Sequence, residues 1–140
     1  MKKSRRLKTI VELAAFNEKK AAKTMVDSRI QKEDEEKKLA QLTTFQEQYS
    51  KRLHNNASQG LAASQLIEYR EFLYKIGKAI KEQEQVVGGM NESLGGHMAV
   101  WRSARHRRQG MDKIMDTTRS YEIRLQDKRE QAEIDDRPRK

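Results

Sequence analysis

From position 66 onward, one set of residues recurs at alternating spacings of four and three: Leu66, Tyr69, Leu73, Ile76, Ile80, Gln83, Val87, Met90, Leu94, His97, Trp101, Ala104, Arg108, Met111, Met115, Thr118, Glu122 and Leu125. Thirteen of these eighteen are apolar, counting Tyr and Ala, and the intervals between them are rich in charge. A seven-residue repeat held this long is the seam of a coiled coil, not the broad stripe of a globular helix. It predicts a helix over about 62–130. The first half repeats the pattern more weakly, through Leu7, Val11, Ala14, Ala21 and Met25 and then Leu39, Leu42, Gln46, Tyr49 and Leu53, with a charged run at 31–38 between the two sets. It predicts a first helix over about 5–54.

Residues 55–61, rich in Asn, Ser and Gly and holding Gly60, separate the two helices and read as a turn. Folding there pairs Leu42 with Ile76, Phe45 with Phe72 and Tyr49 with Tyr69. The expected object is all-α: an antiparallel two-helix coiled-coil hairpin forming a single domain over 1–140. Its second helix overhangs the first from about Arg119 and ends in a frayed tail at 131–140. Gly88, Gly89, Gly95 and Gly96 oppose this picture, because each costs a helix about 1 kcal/mol relative to Ala. They predict a bend or local melt. Because the pairs recur one heptad apart, they also fit a close helix approach; a full break is disfavoured, since the heptad phase survives them.

With 36% charged and 6% aromatic residues in 140, a large mixed-sheet enzyme core is excluded. The only proline is Pro138. The net charge of +9 points to acidic partners, whether protein, nucleic acid or anionic lipid. There is no cysteine, which removes disulfide, thiolate-metal and thiol chemistry. Lys8, Glu12 and Glu18 interrupt what would be the apolar part of a signal peptide, so the chain is expected to stay in the cytoplasm. The stretch 54–67, free of Asp, Glu, Lys and Arg, is too short and polar to span a bilayer.

His54, His97 and His106 form no metal-ligand pattern, and no phosphate-binding glycine loop is present. No catalytic group, metal, cofactor or small-molecule substrate is therefore expected. The run at 31–38 reads as a solvated face with a Lys32–Glu36 pair. Residues 1–31 carry +6 and 101–140 carry +4, against −1 for 32–100, so positive charge gathers at the open end of the hairpin. There Lys2, Lys3, Arg5, Arg6 and Lys8 approach Arg102, Arg105, Arg107 and Arg108, a candidate surface for an acidic partner. Near the tip, Phe45, Phe72, Tyr74, Ile67 and Ala79 lie off the seam. Phe45, Phe72 and Ala79, flanking Leu42, Tyr49 and Ile76, predict an apolar stripe for a partner. The other reading is that Phe45 and Phe72 only widen the seam.

The segment Lys38-Leu39-x-x-Leu42-x-x-Phe45-Gln46-x-x-Tyr49, followed by Leu61-Ala62, Tyr69-x-x-Phe72-Leu73, Ala79-Ile80-x-x-Gln83 and Trp101-Arg102, resembles the FliJ family of flagellar type III export proteins. The resemblance covers about 5–118. It implies a non-enzymatic antiparallel coiled coil similar to the stalk of rotary ATPases, at the inner face of the cell membrane. The implied partners are the hexameric export ATPase, the cytoplasmic domain of the membrane export gate and export chaperones. Positions matching the gate contact are Leu42, Phe45, Tyr49, Phe72, Ile76, Ala79 and Gln83; the basic end and the overhang would dock to the ATPase. The glycine pairs and the far C-terminus depart from the family pattern. The alternative is a basic coiled-coil adaptor for nucleic acid or anionic surfaces, against which stand the absent RNA-binding fingerprints and the lack of a basic helix leading into one continuous zipper.

Overall fold

The structure, a computed structural model, describes residues 3–137. Two α-helices account for nearly all of them: α1, Lys3–Ser58, and α2, Ala63–Asp136. They run antiparallel as an all-α hairpin, and the described residues include no strand. Both extend beyond their expected ends. α2 stays helical through Asp136, so a tail frayed from 131 is not what the structure shows. Gln131, Ala132 and Glu133 are adequate helix formers, and the helix stops two residues before Pro138, which disfavours helical backbone at Arg137.

Burial follows the heptad closely. All eighteen seam positions of α2 are buried or partly buried, and the helix adds only Gly77, Ala79, Met98 and Asp112 to them. On α1 the same phase runs unbroken, because polar residues hold the missing places: Ser4, Glu18, Ser28, Lys32, Glu35 and Asn56 are all at least partly buried. The charged run at 31–38 is therefore not a wholly solvated face. Lys32 and Glu35 sit in the seam, although Lys32 also makes the expected pair with Glu36 at 3.4 Å.

Contacts divide the chain into two compact units. One is Met25–His97, which contains the turn. Met25, Ile76 and Leu94 are its buried apolar residues, with Ser28 beside them. α1 ends where Gly60 turns back at φ 88°, a left-handed conformation that glycine adopts without strain. The Gly60 N–H donates to the Ala57 carbonyl at 3.3 Å. α2 starts with the Ala62 N–H donating to Gln65 Oε1 at 3.4 Å, and Asn56 Nδ2 donates to the Tyr69 hydroxyl at 3.0 Å across the hairpin.

In this unit α2 passes Gly88, Gly89, Gly95 and Gly96 without interruption. All four are exposed, and a Cβ at any of them would meet open space. They are thus not sites where α1 approaches closely, and the helix does not break into a third. The heptad puts each pair on the outer surface, where a missing side chain leaves no hole in the seam.

The other unit is Met1–Thr24 with Met98–Lys140, of which residues 3–24 and 98–137 are described. Ala14 and Met115 are its buried apolar residues. The Ser4 hydroxyl donates to Glu122 Oε2 at 2.5 Å and its backbone N–H to Glu122 Oε1 at 3.0 Å, so α2 brings a carboxylate to a first-turn amide of α1. This contact corrects the expected overhang from Arg119. A seam side chain of a coiled coil packs between residues of the facing helix and not onto one opposite number, and Glu122 and Leu125 are both still partly buried. Residues 126–137 are all exposed and form the overhang.

Candidate partner-binding surfaces

With the seam written as heptad positions a and d, each helix has a flank on either side, carrying g and c or e and b. The structure matches g with g. Phe45 and Phe72, both at g, have ring centroids 6.2 Å apart; in the other unit Asn17, Val100 and Arg107, all at g, line one groove with Ala14, Ser103 and Ala104.

Near the turn, Tyr49 is the centre of an aromatic group, 4.4 Å from Phe72, 5.0 Å from Phe45 and 6.4 Å from Tyr69. The Arg52 guanidinium lies over its ring at 5.6 Å. Phe45 and Phe72 nevertheless keep 45% and 37% of their surface exposed, so they are edge residues that neither enter the seam nor leave it. Of the other residues singled out from sequence, Ala79 lies partly buried on the same g flank, with Leu42 and Tyr49 partly buried at the seam's edge. Ile76 is 6% exposed and faces α1. Gln83 is committed inward, its Nε2 donating to the Glu35 carbonyl at 2.9 Å and to Glu35 Oε2 at 2.6 Å. The seven positions therefore do not form one accessible surface. Val86, the next g residue and 40% exposed, extends it and could have been read by counting sevens from Phe72 and Ala79. A groove lined by Arg52, Leu61, Gln65 and Glu68 beside Tyr49 and Phe72 had no such signal, because the turn builds it. Ile67 and Tyr74 point out on the opposite flank, at b.

Among the nine basic residues, the eight that are described are not gathered into one cluster. Lys2 lies outside the described residues. Arg108 is at a seam position, with its guanidinium bonded to Glu18 on α1 and, at 3.0 Å, to Asp112 Oδ2. Glu18 first, and then Asp112, hold its pKa above the ordinary arginine value. The other seven are exposed. Lys3, Arg6 and Arg107 fall on the g and c flank; Arg5, Lys8, Arg102 and Arg105 fall on the e and b flank, where Arg105 stacks on Trp101 at 5.4 Å. On the seam, Glu35 accepts from Gln83 and from Lys38 Nζ at 3.1 Å, and these bonds, Gln83's the larger, hold its carboxyl below the usual glutamate value.

Among the described residues no group of His, Cys, Asp and Glu is arranged to hold a metal ion, and no helix is long and apolar enough to cross a membrane.

These features define an antiparallel two-helix hairpin, with an exposed aromatic edge in the unit that holds the turn and basic flanks in the other unit. The chain belongs to the family of the Flagellar FliJ protein, which it matches over residues 2–138. It is 22% identical over 130 residues to the Flagellar FliJ protein of Escherichia coli (strain K12), an alignment covering 93% of this chain and 88% of that protein. The Flagellar FliJ protein of Salmonella typhi is similar to the same extent. No solved structure matches the chain.

Proposed function

We propose that the protein is a non-enzymatic component of the flagellar type III export apparatus, a stalk-like coiled coil that links the export ATPase ring to the membrane export gate and helps to cycle export chaperones. The observation that carries this reading is family membership over nearly the whole chain. Consistent with it, Phe45 and Phe72 form an edge that keeps apolar surface exposed, the kind of anchor that partners bury. In this reading Phe45, Phe72 and Ala79, with the rims of Leu42 and Tyr49, meet the cytoplasmic domain of the gate. Ile76 and Gln83 act indirectly, by holding α2 in register. The basic end and the overhang dock to the ATPase hexamer, and the protein works in the cytoplasm at the inner face of the membrane.

The test is to mix the protein with its cognate export ATPase at physiological salt and weigh the complex by light scattering after size exclusion. A stable complex near one copy per hexamer supports the stalk role. Failure to form it, with affinity for any polyanion that falls steeply with salt, would favour a charge-driven adaptor for nucleic acid or anionic surfaces instead. For the gate, Phe45→Ala with Phe72→Ala should abolish binding while circular dichroism shows an intact helical chain. If helicity is lost, the two rings are core and not anchors.

A further inference from the structure

The unit formed by residues 3–24 and 98–137 carries a second, unpartnered heptad row beside its seam. On α2 the row is Val100, Ser103, Arg107, Gly110, Ile114, Thr117 and Tyr121, spaced alternately by three and four, every one exposed except for the lower edges that line the groove with Ala14 and Asn17. Larger side chains at g alternate with Ser, Gly and Thr at c, and a Cβ on Gly110 would meet nothing within 4 Å. Such alternation leaves hollows between ridges, the relief into which another helix packs. On α1 the same flank adds Ile10 and Leu13. These two, with Val100, Ile114 and Tyr121, are 45–61% exposed, which is high for apolar residues on the same flank.

The charge around the row has one sign. Within residues 3–24 and 98–125, the charged residues at g and c are Lys3, Arg6, Lys20, Arg107 and Arg124, and none is acidic. The opposite flank is mixed, with Glu12, Asp112 and Asp116 among its bases. A second copy of this chain is a poor occupant, since a symmetric pairing would press two basic rims together. A flat anionic surface would use the charge but not the hollows at Ser103, Gly110 and Thr117.

We infer that this flank docks an acidic amphipathic helix of a partner protein, its small apolar ridge lying along Val100, Gly110 and Ile114 and its carboxylates meeting the basic rim. The inference rests on the reading of this end as a partner surface and narrows it to one flank. Of the nine basic residues read from sequence, Lys3, Arg6 and Arg107 belong to it, and Lys20 and Arg124 join them.

The experiment uses the full-length protein and a labelled synthetic helical peptide of about three heptads, with Leu and Ala on one face and Glu elsewhere, read by fluorescence anisotropy. Ile114→Glu should weaken binding about tenfold or more, and so should Gly110→Glu, which replaces a helix-weakening residue in open space and so leaves the fold intact. Gln109→Glu, an equal charge change at an exposed position on the other flank, should alter it by less than about twofold. No binding of the peptide, equal weakening by Gln109→Glu, tighter binding to phosphatidylglycerol vesicles that Ile114→Glu abolishes, or self-association that Ile114→Glu abolishes would each overturn the assignment. The export ATPase takes no part, so these outcomes are separate from success or failure of the stalk reading.

Discussion

Ala62 sits where α2 begins, and its methyl group offers nothing to the free amides of the first turn, while Gln65 already accepts from its N–H. Serine there would complete the reciprocal cap by accepting from the Gln65 amide. Ala62→Ser should therefore stabilise the protein by about 1 kcal/mol, read from the midpoint and slope of urea unfolding. Glu35 sets a second residue-scale expectation. Its depressed pKa means that the folded state favours the carboxylate, so its contribution is present above the ordinary glutamate value and is lost as pH falls through the depressed one. Glu35→Gln should melt below the parent protein at neutral pH, with the gap closing in acid; a gap independent of pH would show that the charge is irrelevant. The aromatic residues near the turn could be picked out from sequence as apolar residues off the seam. Gln83 already had a seam place in the sequence, but its bond to Glu35 could not be read there, because Glu35 lies 48 positions away and looked like part of a solvated run.

At the scale of the element, α2 keeps its phase across four glycines that should weaken it. Packing resolves the conflict: Ile76, Val87, Met90, Leu94 and His97 continue the seam on either side, and most helical stability in a folded chain comes from such packing, not from propensity. The glycines remain costly. Replacing all four by alanine should add about 2–4 kcal/mol, because each new Cβ enters open space. A loss of stability in urea would mean that these positions need backbone freedom. α1 shows the complementary lesson. Its apolar signal fades where Glu18, Ser28, Lys32 and Glu35 take seam places, and polar layers of that kind set register at some cost in stability. Leu94→Ala, at a buried seam position, should cost about 2–3 kcal/mol.

For the whole molecule, the overhang is the part whose removal should matter least to stability. Every residue of 126–137 is exposed, so a chain ending at Leu125 should unfold within about 0.5 kcal/mol of the full-length protein, while amide exchange in the full chain should be fastest in that segment. The sequence alone determined the hairpin class, the turn at Gly60 and, through an unbroken heptad, which face of α2 is covered. Periodicity is a one-dimensional property, and a helix converts it directly into a face. It also singled out Phe45 and Phe72, because apolar residues beside a narrow seam have nowhere to be fully buried. The pairings of Phe45 with Phe72 and of Tyr49 with Tyr69 were also legible, from the turn and the seam, but only the tertiary structure decided which seam residues meet in the other unit. Side chains of antiparallel helices interleave between layers, so Ser4 reaches Glu122 and Glu18 reaches Arg108, each about a heptad beyond its expected opposite. The same interleaving moved the start of the overhang; the division of the basic residues between two flanks has a different cause. Flank assignment depends on how two helices are rotated against each other, and neither sequence carries that rotation by itself.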